Sequence, residues 1–140
     1  MSAFWQNWMK GWCGAAALFG IVLAGGAFEA TSGPVRIVFD LLNGSGDFDL
    51  DPPMRFSLGV LGAVSIGWSL TLLAAVNAAN QLDRKLAKPI WIQVTSSVLT
   101  WYVIDSLLSI ATGFGLNAIP NTVLMAGFLF PVIRSGVLRS

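Results

Sequence analysis

Charged residues are sparse along this chain, and the intervals between them are long enough to define elements. Residues 11–28, 56–82 and 106–133 contain no Asp, Glu, Lys or Arg. A bilayer core about 30 Å thick is crossed by roughly 20 apolar residues at about 1.5 Å rise per residue, so each interval has room for a crossing helix. The pattern predicts four transmembrane helices, over Trp12–Phe28, Pro52–Leu82, Pro89–Thr112 and Asn117–Leu138, in an all-α integral membrane four-helix bundle formed by one domain over residues 1–140. The last two spans are separated because Gly113, Gly115, Asn117 and Pro120 cluster between apolar segments, the composition of a short turn between antiparallel neighbours.

Residues 29–51 form the longest loop, between the first two spans. Within it Val35, Val38, Phe39 and Leu42 recur at helical spacing, with Arg36 and Asp40 on the opposite side. Ser32-Gly33-Pro34 offers a start and Asn43-Gly44 a stop, so a short amphipathic helix is expected on the outer membrane surface or capping the bundle. The run Asp47-Phe48-Asp49-Leu50-Asp51 has the alternating carboxylates of a calcium loop. Pro52 and Leu58 occupy the positions where such a loop needs glycine and glutamate, so the motif fails. Asp51 reads instead as an N-cap, with Pro52 in the first turn of the second span.

Basic residues give the spans a direction. Lys10, Arg84, Lys85, Lys88, Arg134 and Arg139 fall on one side of this topology, whereas the other side has only Arg36 and Arg55 among five acidic residues. The positive-inside rule then places both termini in the cytoplasm, in the inner (plasma) membrane of a bacterium. The first segment can also be read as a cleaved signal peptide, with Gly25 and Ala27 as a small-x-small site. Trp5, Trp8 and Trp12, spaced as a helical stripe of interfacial anchors, argue against that.

Composition narrows the chemistry. With 55% hydrophobic and 11% charged residues, a net charge of +1, no histidine and the single cysteine Cys13, the chain has no field to recruit nucleic acid. It also lacks the imidazole of a Ser-His-Asp or Cys-His couple and the partner for a disulfide or CxxC pair. No metal site, no cofactor and no enzymatic activity are expected. Nucleophiles such as Ser106, Ser109 or Cys13 have no base beyond Asp105.

Asp105 is the one ionisable residue well inside a predicted span, about 22 Å along the helix from Ile90. A charge at that depth must be paired, hydrated or protonated, so Asp105 is expected to face other helices. Ser97, Trp101, Ser109 and Thr112 share roughly its face and extend it into a polar seam. Asp105 is then either a proton or cation site, or a structural group neutralised by Arg36 or Arg55 or hydrogen-bonded to a neighbouring helix.

Small residues supply the packing pattern. Gly59, Ala63, Gly67, Thr71, Ala75 and Ala79 repeat every fourth position on the second span, and Ala16, Gly20 and Ala24 do so on the first. Such spacing lets helix backbones approach in lipid, so close packing of these two spans is expected. Asn77, Asn80, Gln81 and Arg84 crowd one end of the second span, and Asn117 and Asn121 flank the start of the fourth. Helix bridging or ligand contact is open to them; capping and interfacial solvation are the commoner uses.

Together these features predict a small membrane protein without catalytic machinery. It would be an accessory, assembly or structural subunit whose partners are the lipid bilayer and either further copies or a larger membrane complex. The alternative is a small oligomeric transporter or channel that uses Asp105 as a proton or cation site. In size the chain is similar to the small multidrug-resistance transporters, but the glutamate they carry in the middle of the first helix is absent, Glu29 lying at the helix end.

Overall fold

In the computed structural model, which describes residues 1–43 and 49–139, the chain is all-α. Five helices follow in order: α1 (Ala3–Gly25), α2 (Gly33–Asn43), α3 (Pro52–Gln81), α4 (Arg84–Ala111) and α5 (Ala118–Ser135), with single 3-10 turns at Glu29–Thr31 and Gly115–Asn117. Four of them, α1, α3, α4 and the segment ending in α5, are long and apolar enough to cross a membrane. Each packs on two others in the cyclic order α1–α3–α4–α5–α1. Met1 and Val137 line one cavity, so both termini lie at the same end. The Gly44 half of the expected helix stop, and Asp47 and Phe48 of the acidic run, lie outside the described residues.

Local chemistry explains where the helices start and stop. The Asp51 carboxylate accepts from the Met54 N–H at 2.9 Å, with Pro52 and Pro53 opening α3, so the expected cap is present. α1 begins at Ala3 rather than Trp12 and ends at Gly25 rather than Phe28. Nothing between Ala3 and Trp12 breaks a helix, and the Gln6 N–H already bonds the Ser2 carbonyl at 3.0 Å. α4 likewise starts five residues before Pro89, at Arg84. Proline that close to a helix start deletes a single bond, here to the Lys85 carbonyl. α5 stops at Ser135 instead of reaching Leu138, because Gly136 adopts the left-handed conformation (φ 61°) of a helix C-terminus. Gly113 (φ 90°) makes the turn between α4 and α5.

The most extensive pairing is α1 on α3. At its centre a β-carbon built on Gly62 would sit 2.5 Å from the Gly20 carbonyl oxygen, and one on Gly20 would sit 2.9 Å from the Gly62 oxygen. Only glycine permits that approach. The two spans therefore pack as expected, with Gly20 and Ala24 of α1 in the contact, but the α3 face differs from the every-fourth stripe. Gly59 meets Ala27, Gly62 meets Gly20 and Ala24, and Ile66 meets Gly20. Ala63, Gly67 and Thr71 face outward. Steps of three and four residues keep one side of a helix toward its neighbour, whereas successive steps of four rotate away by about 40° each.

Nearer the termini the four helices enclose Met9, Trp12, Leu72, Val76, Trp91, Val98, Phe128 and Val132. Trp101, Trp68, Trp12 and Phe128 run across the bundle in ring contact, with centroids 5.7, 6.3 and 5.4 Å apart. At the opposite end α2 buries Val35 against Leu23, Leu50 and Leu58.

Two indole N–H groups tie α1 to α5. Trp12 Nε1 donates to the Leu124 carbonyl at 2.9 Å and Trp8 Nε1 to the Gly127 carbonyl at 2.8 Å. The second bond answers a defect, because Gly127 lies four residues before Pro131 and its carbonyl has no helical N–H to accept. In lipid that oxygen needs an internal donor, and Trp8 supplies it.

Substitutions at both kinds of contact have expected outcomes in detergent. Gly62→Leu should lower thermal stability by about 2 kcal/mol or more, through overpacking at the backbone contact. Gly67→Ala, whose added carbon would meet nothing within 4 Å, should stay within about 0.5 kcal/mol. Trp8→Phe should cost about 1–2 kcal/mol by orphaning the Gly127 oxygen. On a Pro131→Ala background, where the chain regains its own N–H, the cost should shrink. Equal costs in both backgrounds would show that Trp8 is not satisfying that carbonyl.

Candidate functional site

Asp105 sits in the last turns of α4, which α5 approaches after a short connection. Asn121, buried in α5, donates from Nδ2 to Asp105 Oδ2 at 3.1 Å and lies 3.4 Å from Ser106 Oγ. Asn117 Nδ2 donates to Ser109 Oγ at 2.9 Å and approaches Asp105 Oδ1 at 3.5 Å, and Ser109 Oγ approaches the same oxygen at 3.4 Å. The carboxylate thus meets two amides and a hydroxyl. The contacts at 3.4–3.5 Å are at the long limit of hydrogen bonding, so the Asn121 bond is the strongest of those that reach the carboxylate.

The expected charge partners are elsewhere. Arg55 forms an ion pair with Glu29 through Nη2 and donates from Nη1 to the Gly26 carbonyl at 3.3 Å. Arg36 Nη2 lies 3.4 Å from both Glu29 oxygens, and its Nε reaches Ser32 Oγ at 3.3 Å. Both cations therefore gather on Glu29 at the junction of α1, α2 and α3, where a carboxylate and two arginines stay outside the apolar spans. Pairing either with Asp105 would draw a guanidinium from that junction into the bundle, at a desolvation cost. Among the described residues no ion pair reaches Asp105.

The polar seam expected along the third span also divides. Asp105 and Ser109 turn to α5. Ser97 accepts from Trp68 Nε1 at 3.4 Å, and the Trp101 ring packs on Trp68, so this pair turns to α3. Of the small residues not in the α1–α3 crossing, Ala16 and Ala75 are half-buried and Ala79 joins the main core. Ser106, Asn117 and Asn121 are the members of the Asp105 cluster that sequence reasoning did not place there. A signal existed: in a hairpin turning at Gly113, residues equidistant from the turn face each other, which pairs 109 with 117 and 105 with 121.

No protein-family model, curated protein or solved structure matches this chain. The site must therefore be judged on its own geometry. No group of three or more His, Cys, Asp or Glu side chains assembles among the described residues, so Asp105 is the one carboxylate of its cluster. Two amides and two hydroxyls around a single carboxylate can hold a proton or fasten two helices. A single carboxylate is well short of the roughly six to eight oxygen ligands of a calcium shell.

At the other junction, the Arg55 hydrogen bond and charge, with a further contribution from Arg36, hold the Glu29 carboxyl below the usual carboxylate range. A lowered folded-state pKa stabilises the fold above the ordinary glutamate value, and that contribution fades as pH falls through the lowered one. In a carboxyl-carbon NMR titration Glu29 should change protonation below an ordinary glutamate, about 4.3. Arg55→Gln should move it back up. An unshifted Glu29 in the parent chain would contradict the junction described here.

Proposed function

We propose that this chain is a non-catalytic integral membrane subunit that acts through helix packing, as an accessory, assembly or structural component of an oligomer or larger membrane complex. We place it in the bacterial inner membrane with both termini in the cytoplasm, where the basic ends of α4 and α5 satisfy the positive-inside rule. On this orientation α2 caps the outer end of the bundle.

The observation that carries the proposal is the state of Asp105. Both of its oxygens meet donors from within the chain, chiefly Asn121 of α5. None of the residues of its cluster lines the hollow beside Arg55 and Phe56 or the cavity beside Asn80 and Arg84. A carboxylate engaged in this way fastens α4 to α5, as polar side chains do between helices in lipid. A single feature favours the transporter alternative: the donors to Asp105 are neutral amides and hydroxyls, an environment in which the group can take up a proton without displacing a cation.

Asp105→Asn separates the two. The substitution sets an amide N–H₂ against the Asn121 and Asn117 donors, so a packing role requires a loss of about 1–3 kcal/mol in thermal stability. The parent chain, purified in mild detergent, should carry a larger complex or its own copies, with no Asp105-dependent uptake in proteoliposomes. Unchanged stability of Asp105→Asn combined with abolished ion or solute flux would replace the proposal with the transporter alternative.

A further inference from the structure

The end of the bundle that carries both termini contains a cavity of about 320 Å³, between the end of α3, the start of α4 and the residues just past α5. At about 30 Å³ per water, that is room for roughly ten waters. Its lining is mixed. Leu82, Val137 and the fully buried Trp91 give apolar walls, and Asn80, Arg84 and Ser135 give polar ones. Asn80 Oδ1 and Ser135 Oγ are both shut off from solvent and have no hydrogen-bond partner. Both residues line the cavity, and leaving a buried polar atom unmatched costs on the order of 1–3 kcal/mol, so these two side chains call for a partner that the rest of the chain does not supply. Arg84 is fixed beside them by its Nη2 bond to the Gly136 carbonyl at 2.8 Å, and Gly136 itself ends α5 in a left-handed turn.

The three polar groups specify complementary chemistry. A guanidinium binds anions and is suited to phosphate oxygens. The Ser135 hydroxyl can donate to a second oxygen of the same phosphate. Asn80 Oδ1 is an acceptor, so it needs a donor, which a bare phosphodiester lacks and a headgroup hydroxyl provides. The surroundings agree with a lipid source. Lys85, Lys88, Arg134 and Arg139 cluster at the same helix ends, and basic residues at the end of a membrane span attract anionic lipid. The apolar walls would meet the glycerol backbone and the first methylenes of the acyl chains.

We infer that this cavity binds the phosphodiester headgroup of an anionic phospholipid that carries a headgroup hydroxyl, with Arg84 and Ser135 on the phosphate and Asn80 on the hydroxyl. The inference is independent of the role of Asp105, which lies toward the other end of α4. It gives the cluster of Asn80, Gln81 and Arg84 at the end of α3 a use beyond capping.

The test titrates the full chain in detergent with short-chain phosphatidylglycerol, short-chain phosphatidylcholine and inorganic phosphate, reading tryptophan fluorescence and the thermal midpoint. Phosphatidylglycerol should bind about ten-fold more tightly than phosphatidylcholine, the difference expected when its headgroup hydroxyl pairs with the otherwise unmatched Asn80 oxygen, both lipids offering the same phosphate. Ser135→Ala and Asn80→Leu should each weaken phosphatidylglycerol by about the same factor. Without lipid, the midpoint of Ser135→Ala should not fall, because the hydroxyl removed had no partner. That opposition between stability and binding separates a lost site from a damaged fold. Equal affinity for the two lipids would overturn the inference and leave trapped water as the occupant. An equal midpoint rise with inorganic phosphate at the same concentration would overturn the lipid assignment in favour of a free anion. Parent-like phosphatidylglycerol binding by both variants would remove the site altogether.

Discussion

In lipid, apolar side chains gain little by leaving acyl chains for one another, so helices associate where their backbones approach closely enough for dispersion to accumulate. Between α1 and α3 that approach is made by Gly20 and Gly62, each of which would drive a β-carbon into the other's carbonyl oxygen. The contact fixes the depth of α1 against α3, and the rest of the bundle follows from it. It brings Trp12 edge-on to Trp68, and through Trp68 to Trp101 on α4. It also aims the other side of Trp12, and Trp8 one turn earlier, at carbonyls of α5. The same helix therefore gathers α3 by backbone contact and α5 by indole hydrogen bonds.

A second constraint is that backbone and side-chain polar groups within the spans must be satisfied without water. Most are satisfied locally. The hydroxyls of Ser65, Ser69, Thr71 and Thr122 each return to the carbonyl four residues earlier, a habit of Ser and Thr in helices. Pro131 breaks this economy, and the Gly127 oxygen it strands is taken up by Trp8 from another helix. Asp105 is the harder case, a carboxylate that its own helix cannot satisfy. Ser109 alone gives it a contact of 3.4 Å, and the shorter bond comes from Asn121 across the hairpin. At Gly127 and at Asp105, polar groups that their own helix cannot satisfy thus act as links between helices.

How far the chain could be read in advance follows from the range over which each feature is encoded. The four spans rest on long uncharged intervals, a signal that accumulates over about twenty residues and survives local irregularity. The Asp51 cap and the Gly113 turn are encoded within a few residues and were equally legible. Helix ends inside apolar or interfacial sequence were not. Trp5 and Trp8 mark the membrane interface but do not say that the helix already began at Ala3, and Pro89 marks a helix start only to within a turn. The α3 face was misread because a repeat of four and a true packing face share some members. Gly59 belongs to both, whereas Gly62 belongs only to the latter. Membrane side alone makes Arg36 and Arg55 possible partners of Asp105, beside the alternative of a hydrogen bond to a neighbouring helix, but Glu29 offers both a carboxylate without the desolvation cost of the bundle interior.

The two ends of α4 differ in how completely their polar groups are matched, and this difference bears on function more than the rarity of charge does. At one end, in the cluster of Asp105, Ser106, Ser109, Asn117 and Asn121, the carboxylate and both hydroxyl oxygens accept from donors within the chain. At the other end Arg84 is held in place by a backbone carbonyl, while Asn80 and Ser135, which line a cavity, each carry a buried atom without a partner. Interior polar groups in a membrane bundle are costly to retain. A set that is internally matched needs nothing from outside the chain, whereas an unmatched set at the membrane surface is stabilised only by what binds there. On the function proposed above, the residue that first draws attention, the carboxylate within a span, is the structural one. On the inference drawn above, the inconspicuous amide and hydroxyl at the basic end are where the bundle meets its surroundings.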